Sequence, residues 1–397
     1  MKVLIYTHLW VPSVGGVEFI TKSLADGLSE WTKTHPTQIV DISLLTQTPA
    51  GNMDDSLHAY RVVREPRLRE WIRQIRWADI VHLEGPSLLP LALAWLLRKP
   101  VVLRHHGYQS ICPNGILILD PDRSLCPGHF MARRYNKCLS CNSVKLGIVR
   151  SFRNLLLTFP RRWFSSRAKA NVGISPHIAR RLELPRTEVI WNGVPVPAIP
   201  ASKLVKMQLG QPLCFAYVGR LISEKGVQVL LNACRELADM GLDFRLKVVG
   251  DGPERGNLEA LATDLSITSR TEFVGSIPAS AIQKTLAGAV AVIMPSVCED
   301  VAPLAAMEQM MEGRLVIASD IGGLGLIVNG AGMTFPAGDV SALASCMLQV
   351  LQDPSSAAKL GEKGQHRARE TFTREQMVEK HVRLYRTLMP LTLSPTD

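Results

Sequence analysis

Several things are scarce or missing in this 397-residue chain, and each absence narrows what it does. The longest apolar run, residues 88–97, is only 10 residues and contains Pro90. A bilayer-spanning helix needs about 20 apolar residues, so this run reads as a core helix. The first ten residues, MKVLIYTHLW, enter a strand pattern directly and offer no secretion-signal pattern. The expected compartment is the cytoplasm. No G-x-G-x-x-G occurs where the first strand meets the first helix, which removes the ordinary dinucleotide fingerprint. Finally, residues 123–182 hold 13 Lys and Arg but no Asp or Glu.

That last absence is part of a larger asymmetry. The net charge is +10. Residues 1–200 carry 26 basic against 14 acidic side chains, and residues 201–397 carry 19 against 21. A basic half suits an anionic membrane, a phosphorylated substrate or nucleic acid. The near-neutral other half argues against nucleic acid as a partner. With 46% hydrophobic residues the chain is a folded protein, and its length exceeds one ordinary core, so two domains are expected.

What is present is a repeated alternation of short β-branched runs with helical patterns, the mark of parallel α/β sheets. The clearest unit is AVAVIMPSVCEDVAPLAAMEQMMEG at 289–313. A buried strand (289–294) leads into a turn carrying Glu299 and Asp300. Then comes a helix with Pro303 near its first position and Gly313 where a C-cap falls. Glu308 sits about one and a half turns into that helix. In open α/β sheets, ligands bind at the carboxyl ends of strands. A carboxylate buried there needs a partner, so a ligand hydroxyl or a basic side chain is expected beside Glu308. Acids decorating a helix N-terminus are the plainer alternative.

Earlier in the chain, strand 2–7 is followed by Gly15 and Gly16 and a helix over 17–28. The double glycine is either a plain turn or a place where the backbone approaches an anion. Strand 101–104 ends in His105, His106 and Gly107, and His106 there can orient a sugar hydroxyl or a phosphate. Residues 108–147 read as neither sheet nor helix core. They hold Cys112, Cys126, Cys138 and Cys141, the last two as C-x2-C. Four thiolates can bind a structural zinc or, less readily, an iron–sulfur cluster, with His129 as a spare ligand; free thiols in a simple loop are the alternative. Residues 147–164, GIVRSFRNLLLTFPRRWF, place Ile148, Phe152, Leu155, Leu156 and Phe159 on one helical face flanked by arginines. This is the pattern of an interfacial helix on an anionic membrane, or of a core helix with a basic outer side. A proline-rich connector places the domain boundary near 194–208.

In the second half, strand 214–218 ends in Gly219 and Arg220, and Lys225 follows in the same loop. Two cations at a sheet mouth suit a diphosphate and the charge of a departing phosphate. Gly250 and Gly275 end two further strands.

These stretches together resemble the retaining glycosyltransferase family 4, over residues 2 to about 388. The specific motifs are GRLISEKG (219–226), VVGDGP (248–253), FVG (273–275), PSVCEDVAPLAAMEQM (295–310), ASDIGG (318–323) and FPAGD (335–339). PSVGGVE (12–18), HHG (105–107), GISP (173–176) and WNGV (191–194) echo it earlier. The resemblance implies the α/β GT-B fold, with two Rossmann-like domains facing each other across a cleft and closing on substrate. Residues 1–195 would bind the acceptor and carry the cysteine-bearing insertion 108–147. Residues 196–375 would bind a nucleotide-diphosphate sugar, and 376–397 would form a helix and tail returning to the first domain.

The resemblance further implies that Arg220 and Lys225 bind the diphosphate and Glu308 the ribose hydroxyls. Gly15, Gly16, Gly219, Gly250, Gly275, Val301, Ala302, Pro303 and Leu304 would line the donor, and His106 would meet its sugar. The family's E-x7-E becomes D-x7-E here, so either Asp300 or Glu299 contacts the sugar. Many members follow the double glycine with an acid; this chain has Leu324, Gly325 and Leu326 instead. No catalytic metal is expected. The implied reaction is sugar transfer with retained configuration to a glycan or lipid-linked acceptor, at the inner face of the plasma membrane. An epimerase or hydrolase of the same architecture, and a non-catalytic nucleotide-sugar or nucleic-acid binder, are the rival readings. Oligomeric state is not encoded in any of these motifs.

Overall fold

The computed structural model describes residues 1–13, 15–120, 123–198 and 212–389. It divides into two compact units, Met1–Gly193 with Arg374–Asp397, and Val194–Thr373. Pro200 and most of the connector expected over 194–208 lie outside the described residues, as does the tail beyond residue 389.

The first unit is built on seven parallel strands: β1 (Lys2–Thr7), β2 (Asp41–Thr46), β3 (Arg61–Arg64), β4 (Ile80–Leu83), β5 (Val101–His105), β6 (Ala170–Gly173) and β7 (Thr187–Val189). Their order is β3-β2-β1-β4-β5-β6-β7. The central strands are buried on both faces, which explains why they read as continuous apolar runs rather than alternating ones. Helices α1 (Gly16–Thr34), α2 (Leu68–Trp77), α3 (Leu88–Leu96), α4 (Tyr135–Arg167) and α5 (Pro176–Leu182) connect them. Ser175 caps α5 by accepting from the Ile178 N–H, with Pro176 at its first position.

Residues 108–147 are not loop throughout, because α4 begins at Tyr135 and carries both Cys138 and Cys141. Gly147, at φ 71°, breaks the helical path, and a second helical stretch continues from it in the same direction of sequence. YNKCLSCNSVKL has no clear apolar stripe, so periodicity does not announce this first part.

The second unit has six parallel strands: β8 (Leu213–Val218), β9 (Phe244–Val249), β10 (Thr271–Gly275), β11 (Ala289–Met294), β12 (Leu315–Ser319) and β13 (Met333–Phe335). Their order is β10-β9-β8-β11-β12-β13. Helices α6 (Val227–Asp239), α7 (Arg255–Asp264), α8 (Ala279–Thr285), α9 (Leu304–Met311), α10 (Gly322–Val328), α11 (Val340–Gln352) and α12 (Pro354–Thr371) cover it. Val227, Leu230, Leu231, Cys234 and Leu237 form the buried stripe of α6 against Phe215, Leu246 and Ile293 of the sheet. Burying such side chains contributes roughly 1.5–3 kcal/mol each.

The last helix, α13 (Arg374–Leu388), belongs to the first unit. Its buried face (Met377, Val378, His381, Val382, Leu384, Tyr385) packs back on that unit, and Arg374 pairs with Glu30 of α1 at 2.6 Å. Both sheets reverse their strand order at one point, β1/β4 in the first and β8/β11 in the second. Such switch points open a crevice beyond the carboxyl ends of the strands.

Candidate functional site

In the second unit, the loops leaving β8 and β11 are locked together by direct backbone contact. Gly226 has φ +70°, and a Cβ there would lie 1.8 Å from the Pro295 carbonyl oxygen. Only glycine fits. The Val297 N–H also donates to the Glu224 carbonyl at 3.0 Å. This contact holds Lys225 against the acidic turn, where its ammonium pairs with the Asp300 carboxylate. Ser296 Oγ donates to the same carboxylate oxygen at 3.0 Å. Of the two neighbouring acids, these contacts take Asp300. Gly322, at φ +63°, comes so close that a Cβ would sit 2.7 Å from the Asp300 carbonyl oxygen, to which the Gly323 N–H donates at 2.7 Å.

Arg220 stands in the same loop as Lys225. The Tyr217 hydroxyl donates to its carbonyl at 2.8 Å and fixes the backbone there. Its guanidinium is exposed and has no ion pair among the described residues. Glu308 is the opposite case, a half-buried acid on α9 with no basic or hydroxyl partner among the described residues. Burial, and then the nearby Glu312, push its carboxyl above the usual range. Among the described residues no side chain supplies the partner expected beside Glu308.

The remaining expected positions fall on the same sheet edge. Gly219 follows β8, and Gly250 follows β9, where its N–H donates to the Gly275 carbonyl at 2.9 Å. Gly275 ends β10, the edge strand, two strands out from β8. Glu299, Val301 and Ala302 lie in the β11 turn, Pro303 precedes α9, and Leu304 is its first residue. The first N–H groups of α9 have no intrahelical acceptor and face that edge as donors.

The first unit brings Gly15, Gly16 and His106 to its own carboxyl edge. Gly15 precedes α1 with extended backbone, and Gly16 is the helix's first residue. His106 follows β5 and donates through Nε2 to Glu84, a fully buried acid just beyond β4. The same carboxylate faces His82 Nε2 at 3.3 Å and Arg104 Nη1 at 3.6 Å. Burial works to raise the Glu84 pKa, but Arg104, His106 and His82 outweigh it and hold the carboxyl well below its usual range. Burial pushes His106 down, opposed by Glu84. His105 points into the core, donates to Asn171 Oδ1 at 2.9 Å, and is pushed by burial to about 4. Arg104 Nη2 reaches Asn192 Oδ1 at 2.7 Å, tying β5 to the WNGV stretch.

Sequence reasoning missed Glu84, Arg104, His82 and Ser296. For Glu84 a signal was present, since an acid followed by Gly85 at a strand's end obeys the same edge rule that selected His106.

The four cysteines Cys112, Cys126, Cys138 and Cys141 are all buried and none is in a disulfide. Burial and the neighbouring thiols of the other three push Cys138 up to about 12. The Asp120 N–H donates to Cys141 Sγ at 3.4 Å, and Cys141 donates to the Ile118 carbonyl at 3.5 Å. Among the described residues no three His, Cys, Asp or Glu side chains stand as a group able to hold a metal ion.

On α4, Ile148, Phe152, Leu156, Phe159 and Trp163 are exposed, with Phe152 at 53%, while Leu155 alone of the expected stripe is buried. Trp163 meets Trp95 of α3, itself 55% exposed, with ring centroids 5.7 Å apart. The expected apolar face is thus displayed rather than packed inward. No described helix is long and apolar enough to cross a membrane.

With this geometry in view, two family models match. Residues 14–196 match that described as Glycosyltransferase Family 4, and residues 206–367 that described as Glycosyl transferases group 1. A 2-deoxystreptamine glucosyltransferase of Streptomyces kanamyceticus is 32% identical over 219 residues, 50% of this chain and 56% of that protein. The chain spans about half the length of that relative. Over their whole length, solved structures share the fold. A sucrose-phosphate synthase from Thermosynechococcus elongatus superposes with TM-score 0.71 at 20% identity, covering 98% of each chain. The Anabaena protein HepE in complex with UDP gives 0.71 at 16% identity, covering 98% of this chain and 100% of that one. In complex with UDP-glucose it gives 0.70 at 17%, with the same coverage.

Proposed function

The chain belongs to glycosyltransferase family 4, with the GT-B architecture, and from that membership we propose that it moves a sugar from a nucleotide-diphosphate donor to an acceptor hydroxyl with retention of configuration. The observation that carries this reading is the pair of unmatched charges on one sheet edge. Among the described residues Arg220 is a cation without an anion, and Glu308 is a half-buried acid without a donor. A nucleoside diphosphate supplies both complements, its phosphates to Arg220 and its ribose hydroxyls to Glu308.

Lys225 joins Arg220 at the diphosphate. Because Lys225 is already held by Asp300, the cation that meets the leaving group and the acid that meets the sugar act as one unit. As the bond to the anomeric carbon breaks, negative charge grows on the diphosphate oxygen, and the two fixed cations stabilise it. The ring becomes oxocarbenium-like. The acceptor hydroxyl attacks from the face the leaving group departs, and its proton passes to the departing phosphate oxygen. His106, on the first unit's own carboxyl edge, is the side chain there suited to hydrogen-bond a sugar hydroxyl.

The exposed apolar and basic face of α4 supports a lipid-linked or membrane-associated glycan acceptor, taken by a protein that sits peripherally on an anionic inner leaflet. The test is product analysis. Incubation with UDP- and GDP-sugars and alkyl glycoside acceptors, followed by NMR of the anomeric coupling, is expected to give a glycoside of the donor's own configuration. An inverted glycoside would overturn retention. Release of free sugar only, or isomerisation of the nucleotide sugar, would overturn transfer itself.

A further inference from the structure

The buried charges of the first unit form a single chain of hydrogen bonds whose directions can be assigned. Glu84 lies at 0% side-chain exposure beyond the end of β4, and its carboxylate can only accept. His82 Nε2 therefore donates to Oε1, at 3.3 Å. That leaves His82 Nδ1 as a lone pair, which accepts a hydrogen bond from the Tyr385 hydroxyl at 2.8 Å. On the other carboxylate oxygen, His106 Nε2 donates. Arg104 adds positive charge from β5, at 3.6 Å. His381, one turn before Tyr385 on α13, packs against both His82 and Tyr385 at centroid distances of 5.5 and 6.0 Å. His381 is itself tied by Nδ1 to the Met377 carbonyl at 2.7 Å. Two ring donors, His82 Nε2 and His106 Nε2, thus converge on one acid, and the ring nitrogen of His106 left over is Nδ1, which has no partner among the described residues.

We infer that Glu84 is a positioning residue for His106, fixing the ring as the Nε2–H tautomer with Nδ1 presented as an acceptor, and that the terminal helix α13 sets the far end of this chain through Tyr385. A neutral imidazole offering Nδ1 can receive a hydrogen bond from a sugar hydroxyl. A free ring would divide between two tautomers and spend part of its time with the wrong edge outward. The link also gives the last helix a role beyond packing. Tyr385 is 303 residues from His82, and the hydroxyl that orders His82 comes from the end of the chain. The consequence for sugar transfer rests on the proposed function; the tautomer itself does not.

The test separates the two. Imidazole 15N NMR of the full chain, between pH 6 and 9, reads the tautomer of His106 without substrate. The wild type is expected to show Nε2–H with Nδ1 unprotonated throughout. Glu84→Gln removes the carboxylate that opposes burial, so His106 should titrate at lower pH than in the wild type and lose its single tautomer. Tyr385→Phe keeps the ring and the packing, and should shift the His82 resonances and, more weakly, those of His106. In a transferase assay Glu84→Gln should lower kcat by about 10- to 100-fold through misplacement of His106, with affinity for a nucleoside diphosphate unchanged. If His106 is the Nδ1–H tautomer in the wild type, or is unaltered in Glu84→Gln, the inference is overturned. Should the tautomer behave as stated while no sugar is transferred, the positioning stands and the transferase reading fails. If Glu84→Gln does not fold, the Tyr385→Phe spectra decide: unmoved His82 and His106 signals contradict the chain.

Discussion

The two sheets turn at equivalent switch points but treat charge at their carboxyl edges in opposite ways. At the first, three charged or titratable side chains, His82, Arg104 and His106, close on Glu84 and hold its charge within the fold. At the second, Lys225 and Asp300 pair with each other, while Arg220 and Glu308 are left unmatched among the described residues. A buried network of opposite charges costs much to break and holds geometry. Charges without a partner among the described residues do not hold the fold together, and on the proposed reading a ligand meets them. On the proposed reading the contrast separates residues that position from residues that bind, although both kinds lie on the same edge of the same sort of sheet.

The largest effect that would break this contrast is on stability. Glu84→Ala leaves Arg104 buried without its anion, and chemical denaturation should show a loss of about 3–5 kcal/mol. Arg220→Ala should leave the midpoint of unfolding where it is. Equal losses in both variants would erase the distinction.

Acid should undo the first unit before the second. His105 is buried and held at about 4 in the folded protein, below its ordinary 6.5. Between those values the unfolded chain binds the proton and the folded one does not. The stability is therefore fully present above pH 6.5 and is lost as pH falls toward 4, to the extent of roughly 3 kcal/mol. His381, depressed by the same burial, adds in the same direction. Melting curves across that range should fall steeply for the wild type and less so for His105→Gln; parallel curves would contradict the assignment.

At the exposed α4 face, a basic side chain near an anionic leaflet is worth about 1 kcal/mol. Replacing Arg150 and Arg153 by Ala should weaken binding to phosphatidylserine-containing vesicles by roughly 30-fold, with no change for neutral vesicles. Equal loss on both would point to the apolar row alone. Glu308→Gln should give the smallest change in the fold, and of unusual sign. An ionised carboxyl whose pKa is raised by burial opposes folding at neutral pH, so the variant should melt slightly higher than the wild type.

Much of the second unit was legible in the sequence because its site is local. One strand, one turn and one helix carry Glu299, Asp300 and Glu308 at fixed spacing, and the loop after β8 carries both cations. The parallel sheets were legible for a related reason, since strands buried on both faces read as unbroken apolar runs. What was hidden is non-local. Lys225 and Asp300 are 75 residues apart, and their pairing depends on Gly226 touching Pro295. Glu84 looks like one acid among many until β5 brings Arg104 and His106 beside it and α13 returns Tyr385 to His82. The helical start of α4 escaped because its polar, cysteine-bearing turns lack an apolar period, while its later turns show one.

Calorimetric titration with UDP, GDP, ADP and dTDP, without added metal, probes the unmatched charges themselves. The wild type should bind at least one of the four. Arg220→Ala combined with Lys225→Ala should lose that binding, and Glu308→Gln should weaken it about 10- to 100-fold while melting no lower than the wild type. If the wild-type protein binds none, or if Glu308→Gln binds as tightly as the wild type, then the edge of the second sheet is not a nucleotide site and the proposed transfer has no donor.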